Sequence, residues 1–145
     1  MTIKNISLIE YLFDEGVSLT QEARNYIAYH EKVDRREMVL TDCLEVGYQH
    51  TRITARMIQS MTWLLAMRAL LLGEISSEQF ASPQFSLTDS EECVSDKGSN
   101  DVNLSVGLRD LLNRSYAFYT RIRRLDDMVR LKLESGQVPN FGVSI

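Results

Sequence analysis

Arg52 and Arg56 stand one helical turn apart, and Glu45 lies two turns before Arg52. On a helix the three share nearly one face. Such a set suits a structural or solvated ion pair, a pair that fixes the register of helices or subunits, or a pocket for an anionic ligand. Other chemistry is scarce. A di-iron bundle needs inward glutamates and paired Glu-x-x-His motifs, but Ile27 precedes His30 by three residues and Gly47 precedes His50 by three. Both histidines read as helix-surface or satisfied interior residues. The chain contains no HExxH, P-loop, GxGxxG or GxSxG. Glu74, Glu78, Asp89, Glu91, Glu92, Asp96 and Asp101 crowd one segment against Lys97 alone, yet no regular element fixes their geometry for acid–base work. No catalytic, metal-binding or cofactor-binding residue is assigned, and the chain reads as no enzyme.

A second group lies near the C-terminus, where Tyr116 and Tyr119 interleave with Arg114, Arg121, Arg123 and Arg124. Arginine and aromatic residues are what protein-docking hot spots favour. The same arginines can contact phosphates, and a solvated helix face also explains them. The whole chain has 145 residues and a net charge of −4. That length suits one domain, and the acidic balance argues against a dedicated nucleic-acid binder.

Cys43 and Cys93 are the only cysteines and form no CxxC, which fits two reduced thiols in the cytoplasm. Glu10, Asp14 and Glu15 interrupt any signal-peptide core. The stretch Met57–Leu72 carries Gln59, Ser60, Thr62 and Arg68 and is too short to span a bilayer. The expected location is therefore cytoplasmic, with no membrane contact.

The elements that position these residues are helices. Ser7 with Glu10 forms a capping box and Ile6 with Tyr11 a hydrophobic staple, so a first helix is predicted over residues 7–32. Its stripe is Ile9, Leu12, Gly16, Leu19, Ala23, Tyr26 and His30, running unbroken through Gly16. Asp34 with Glu37 and Val33 with Met38 repeat the start signal, placing a second helix over 34–73 with Gly73 as its cap. Few residues separate the two, so they pair as an antiparallel hairpin. Apolar residues on more than one face make the second helix the central one.

Residues 74–104 read as a flexible, mostly disordered acidic linker, with a short turn from Ser76 to Gln79 that Pro83 ends. Leu108, Leu111, Ser115, Phe118, Ile122, Leu125 and Val129 mark a third helix over 105–134. Residues 135–145 form a tail. The fold class is all-α, a three-helix bundle. The long second helix should outrun the first beyond about residue 60. Met61, Trp63, Leu64, Met67 and Leu71 then form a bare patch where a second subunit or partner docks, unless Phe80, Phe85 and Leu87 fold back onto it.

The run Arg52-Ile-Thr-Ala-Arg-Met-Ile-Gln-Ser-Met-Thr-Trp-Leu-Leu, followed by Arg68-Ala and Gly73-Glu-Ile, resembles the core of the DUF1465 family of small alphaproteobacterial proteins. Leu108 to Asp126 and Leu12-Phe-Asp-Glu-Gly-Val-Ser-Leu are similar to its other recurring blocks. The resemblance implies a three-helix bundle that forms a homodimer. It also implies a non-enzymatic adaptor that presents client cell-cycle regulators to the ClpXP protease and is recruited with it to a cell pole. The alternative is a DNA- or RNA-associated regulator using the basic third helix.

Overall fold

The computed structural model describes residues 2–30, 32, 36, 38–87, 90–95 and 104–136. Its elements are α1 (Thr2–Asn25), a π-helical turn (Tyr26–His30), α2 (Leu40–Leu71), α3 (Ser77–Phe80), a 3₁₀ turn (Pro83–Phe85), α4 (Glu91–Val94) and α5 (Val106–Glu134). All regular elements among the described residues are helical, so the fold is all-α. No helix among them is long and apolar enough to cross a membrane.

The predicted stripes are the buried ones. Ile9, Leu12, Leu19 and Ala23 of α1 meet Leu108, Leu111, Phe118, Ile122 and Val129 of α5 in one core with Val46, Ile53, Met57, Leu64 and Met67 of α2. Helix α1 runs through Gly16 without a break. A Cβ there would overlap the Met61 sulfur and lie 3.0 Å from the Phe118 ring, so the missing side chain is what lets three helices meet at this level. Gly73 and Gly136 take positive φ (76° and 75°) just past the ends of α2 and α5, the left-handed geometry that ends a helix.

The helix ends differ from the sequence reading. Helix α1 already includes Thr2, so Ser7 lies inside it, and Tyr11 of the supposed staple is 66% exposed. Nothing from Thr2 to Ile6 breaks a helix, and the cap signal is overridden. Helix α2 begins only at Leu40, behind Val39 and without a side-chain cap. The Asp34–Glu37 box lies outside the described residues. A later start for α2 and an earlier one for α1 shift their pairing. Tyr26 stands edge-on to His50 and Glu10 lies 3.7 Å from Arg68, so α1 accompanies α2 almost to its end.

The bare overhang is therefore corrected. Trp63, Leu64 and Met67 are at most 1% exposed, and Met61 and Leu71 are half-buried against the core. Part of the cover comes from the linker, which is structured where it is described. Ser76 and Gln79 form a reciprocal capping box that starts α3, and this delivers Phe80, fully buried, edge-on to Trp63 at 6.3 Å.

Helix α5 lies parallel to α2, because Arg56 bonds to Leu112 while Trp63 bonds to Asp126. It is antiparallel to α1, with Arg114 paired to Glu22 and Arg121 to Glu15. A parallel pair requires a connection that travels back along α2, roughly 48 Å at helical rise. Gly16→Val should lower stability by about 1–3 kcal/mol through overpacking, although valine is the better helix former. Urea denaturation checks this, and an unchanged midpoint contradicts it.

Candidate functional site

Two clasps fasten the returning chain to the bundle. At the lower end Trp63 Nε1 donates to Asp126 Oδ1 at 2.7 Å. Arg130 Nε donates to the same carboxylate at 3.0 Å, while its guanidinium lies 5.3 Å from the centre of the Phe80 ring. One buried carboxylate thus orients the indole and the cation that covers Phe80.

The upper clasp is built from Arg52 and Arg56, which are 1% and 0% exposed. Arg56 donates to the carbonyls of Cys93 (3.0 Å), Ser95 (2.6 Å) and Leu112 (2.9 Å) and to Ser115 Oγ (3.1 Å). Arg52 donates to the carbonyls of Glu92 (3.3 Å) and Ser95 and to Gln49 Oε1 (2.7 Å). Gln49 in turn donates to Glu45 at 2.7 Å. The expected ion-pair set is not what forms: Glu45 is joined to Arg52 through Gln49, and the two guanidiniums are spent mainly on main-chain carbonyls. The sequence reading missed the carbonyls of Glu92, Cys93, Ser95 and Leu112, since a main-chain acceptor leaves no mark on residue type.

Burial pushes the Arg56 guanidinium down from its ordinary value to about 10, and the neighbouring charge of Arg52 acts in the same direction. The folded value lies below the unfolded one. The burial penalty is therefore fully present below about 10 and is relieved only as pH rises through about 10 toward the ordinary guanidinium value. At neutral pH Arg56 remains a cation with the polar acceptors a buried charge requires.

The third-helix arginines separate. Arg114 pairs with Glu22 and, at 3.2 Å, with Asp110; Arg121 pairs with Glu15. The hydrogen bond that Arg114 donates to Glu22 is the main cause that raises the Arg114 value. Arg123 is half-buried and Arg124 exposed. These four residues do not make one open basic face, because two of them dock α5 onto α1.

The opposite side of α2 has an inverted polarity. Between Val46 and Met67 its only charged residues are Arg52 and Arg56, both buried. Its exposed residues there are Tyr48, Thr51, Thr54, Ile58, Thr62 and Leu65. Leu44, Thr51, Ile58, Leu65 and Leu72 recur at heptad spacing along this side, all exposed, with Leu44 at 67% and Ile58 at 59%. Beside the stripe, a groove of about 580 Å³ runs between α1 and α2, lined by Ala23, Ile27, Ile53, Met57, Ile58 and Met61 among others. A further hollow of about 320 Å³ continues it past Phe13 and Leu65, with Glu10, Asp14 and Arg68 at its rim. The seven-residue spacing of this row is present in the sequence, but its exposure depends on how α1 and α5 pack against α2.

A family model described as a protein of unknown function, DUF1465, matches residues 2–141. The chain belongs to the DUF1465 family. No match was found among curated proteins or among solved structures.

Arg56→Ala should cost about 3–5 kcal/mol, because it leaves buried acceptors without a donor. Urea denaturation measures the loss. The stability difference between wild type and Arg56→Met should be constant across the neutral pH range, since Arg56 titrates only near 10. A slope there would contradict the assignment.

Proposed function

We propose that this DUF1465-family chain is a non-enzymatic scaffold that holds other protein chains, and that the α1–α2 face is its docking surface. The observation that carries this reading is the uncharged outer side of α2 between Val46 and Met67. Surface helices of monomers normally carry charge on their exposed side, whereas the cores of protein interfaces are depleted of it. Exposed apolar residues that run together along a groove are the usual mark of a binding site.

Self-association is assigned to this same face. The small residues Gly47, Thr51, Thr54 and Ala55 let another helix approach closely, and the seven-residue repeat suits a helix–helix seam. The rim is polarised as well, with Glu10 and Asp14 toward one end and Arg24 toward the other. An antiparallel copy turned about the middle of α2 would lay Arg24 of one protomer against the acids of its partner.

Within the family, the chain resembles the regulator of CtrA degradation, and on that resemblance the partners are ClpXP and the regulators delivered to it. Tethering a client beside the protease raises its local concentration without new chemistry. A nucleic-acid role for α5 draws less support, since Arg114 and Arg121 already neutralise carboxylates of α1.

Wild type should sediment as a dimer, and Ile58→Asp should weaken the dimer by about 30-fold or more, the effect of losing one hot spot. Because Ile58 is 59% exposed, the monomer's unfolding midpoint should stay within about 0.5 kcal/mol of wild type. A monomeric wild type contradicts the seam. Co-elution with purified ClpXP tests the protease role separately, and failure to co-elute at micromolar concentrations removes it.

A further inference from the structure

The segment Ser90–Ser95 lies against both α2 and α5 and is gripped there by its backbone. Arg52 and Arg56 reach the carbonyls of Glu92, Cys93 and Ser95, and no side chain of the segment accepts any of these bonds. Cys93 alone is buried, at 1% exposure, while Glu91 is exposed and Ser90, Glu92, Val94 and Ser95 are half-buried. The grip therefore reads a stretch of main chain, one small apolar residue and acidic neighbours.

Chain length does not force this segment into place. Before the segment, the Phe85 carbonyl accepts from Arg130 and Leu87 packs against the core. Extended, the residues from Leu87 to Ser95 could span roughly 26 Å, against roughly 13 Å of rise along α2 from Trp63 to the arginine pair. The connection has slack on the way to the clasp. It is held by the hydrogen bonds themselves.

Those bonds cannot simply be vacated. With the segment lifted, Arg56 keeps Leu112 and Ser115 and Arg52 keeps Gln49, but the donors that served Glu92, Cys93 and Ser95 would be left without a protein acceptor. Exchange for an equivalent peptide avoids that cost. We propose that the furrow between α2 and α5 is a peptide-binding site, filled in the free protein by the chain's own Ser90–Ser95 and open to exchange with an acidic peptide segment of another protein. The incoming segment supplies main-chain carbonyls to Arg52 and Arg56 and a small side chain where Cys93 sits. Acidic flanks suit it, because the site holds two like charges on one turn of helix. The site lies away from the α1–α2 seam and goes beyond the scaffold reading, so either stands if the other fails.

Cys93 reports the exchange directly. In full-length Cys43→Ser protein it is the sole thiol, and its alkylation rate measures how often the segment lifts. A blocked peptide of sequence Ser-Glu-Glu-Ala-Val-Ser at saturating concentration should raise that rate at least about tenfold. A peptide with both glutamates replaced by lysine should leave it unchanged. Equal rates with and without the acidic peptide, equal acceleration by both peptides, or labelling only at the rate of global unfolding overturns the proposal. Hydrogen exchange on the unaltered chain gives an independent reading. The amides of Cys93, Val94 and Ser95, bonded to Ser90 and Glu91, should exchange faster with the acidic peptide, and no change is a negative result for the site.

Discussion

Every buried carbonyl in a helical protein needs a donor, and a connection crossing a bundle carries carbonyls with no helix of its own to satisfy them. In this fold Arg52 and Arg56 supply those donors. Arginine suits the task because its planar fork presents several N–H groups in fixed directions. Arg56 uses three of its nitrogens on two separate parts of the chain, Cys93 and Ser95 in the connection and Leu112 and Ser115 in α5. A lysine has no such fork. The parallel arrangement of α2 and α5 depends on this pair, because the connection that makes it parallel is fastened there.

A buried cation also alters what the rest of its helix can do. The two charged residues in the middle of α2 point inward, so its outer side is left to Thr51, Thr54, Ile58, Thr62 and Leu65. The same feature that satisfies the connection thus strips the outer face of charge. Among the described residues, surface ion pairs join α1 to α5, as Arg121 does with Glu15, and α1 to the end of α2, as Glu10 does with Arg68. Exposed pairs of this kind contribute at most about 1 kcal/mol each. Those between α1 and α5 set which way α5 faces more than how tightly it holds.

Much of the bundle was legible in the sequence because apolar spacing is a property of residue type. Ile9 to Ala23 and Leu108 to Val129 gave correct faces on that basis alone. Helix ends were less legible. The capping pair at Ser7 is a local preference worth about 1 kcal/mol, too little to stop a helix that finds packing for Ile9 and Leu12 and nothing upstream to break it. The overhang inherited that error, since its length rested on where the helices start. The folded linker was hidden for another reason. Its average composition is polar and acidic, but one aromatic, Phe80, and one thiol, Cys93, are each almost fully buried. Average composition does not register two well-placed side chains.

Helix α2 is buried on two sides. One row, from Val46 through Ile53, Met57 and Leu64, packs into the core shared with α1 and α5. A second, Arg52, Arg56 and Trp63, meets the connection and α5. The third side carries neither charge nor cover through the middle of the helix. A helix without a charged face is the kind found inside larger assemblies rather than at a solvent boundary. Helices α1 and α5 and the connection cover its other sides, and the side left open carries the exposed row Thr51, Ile58 and Leu65.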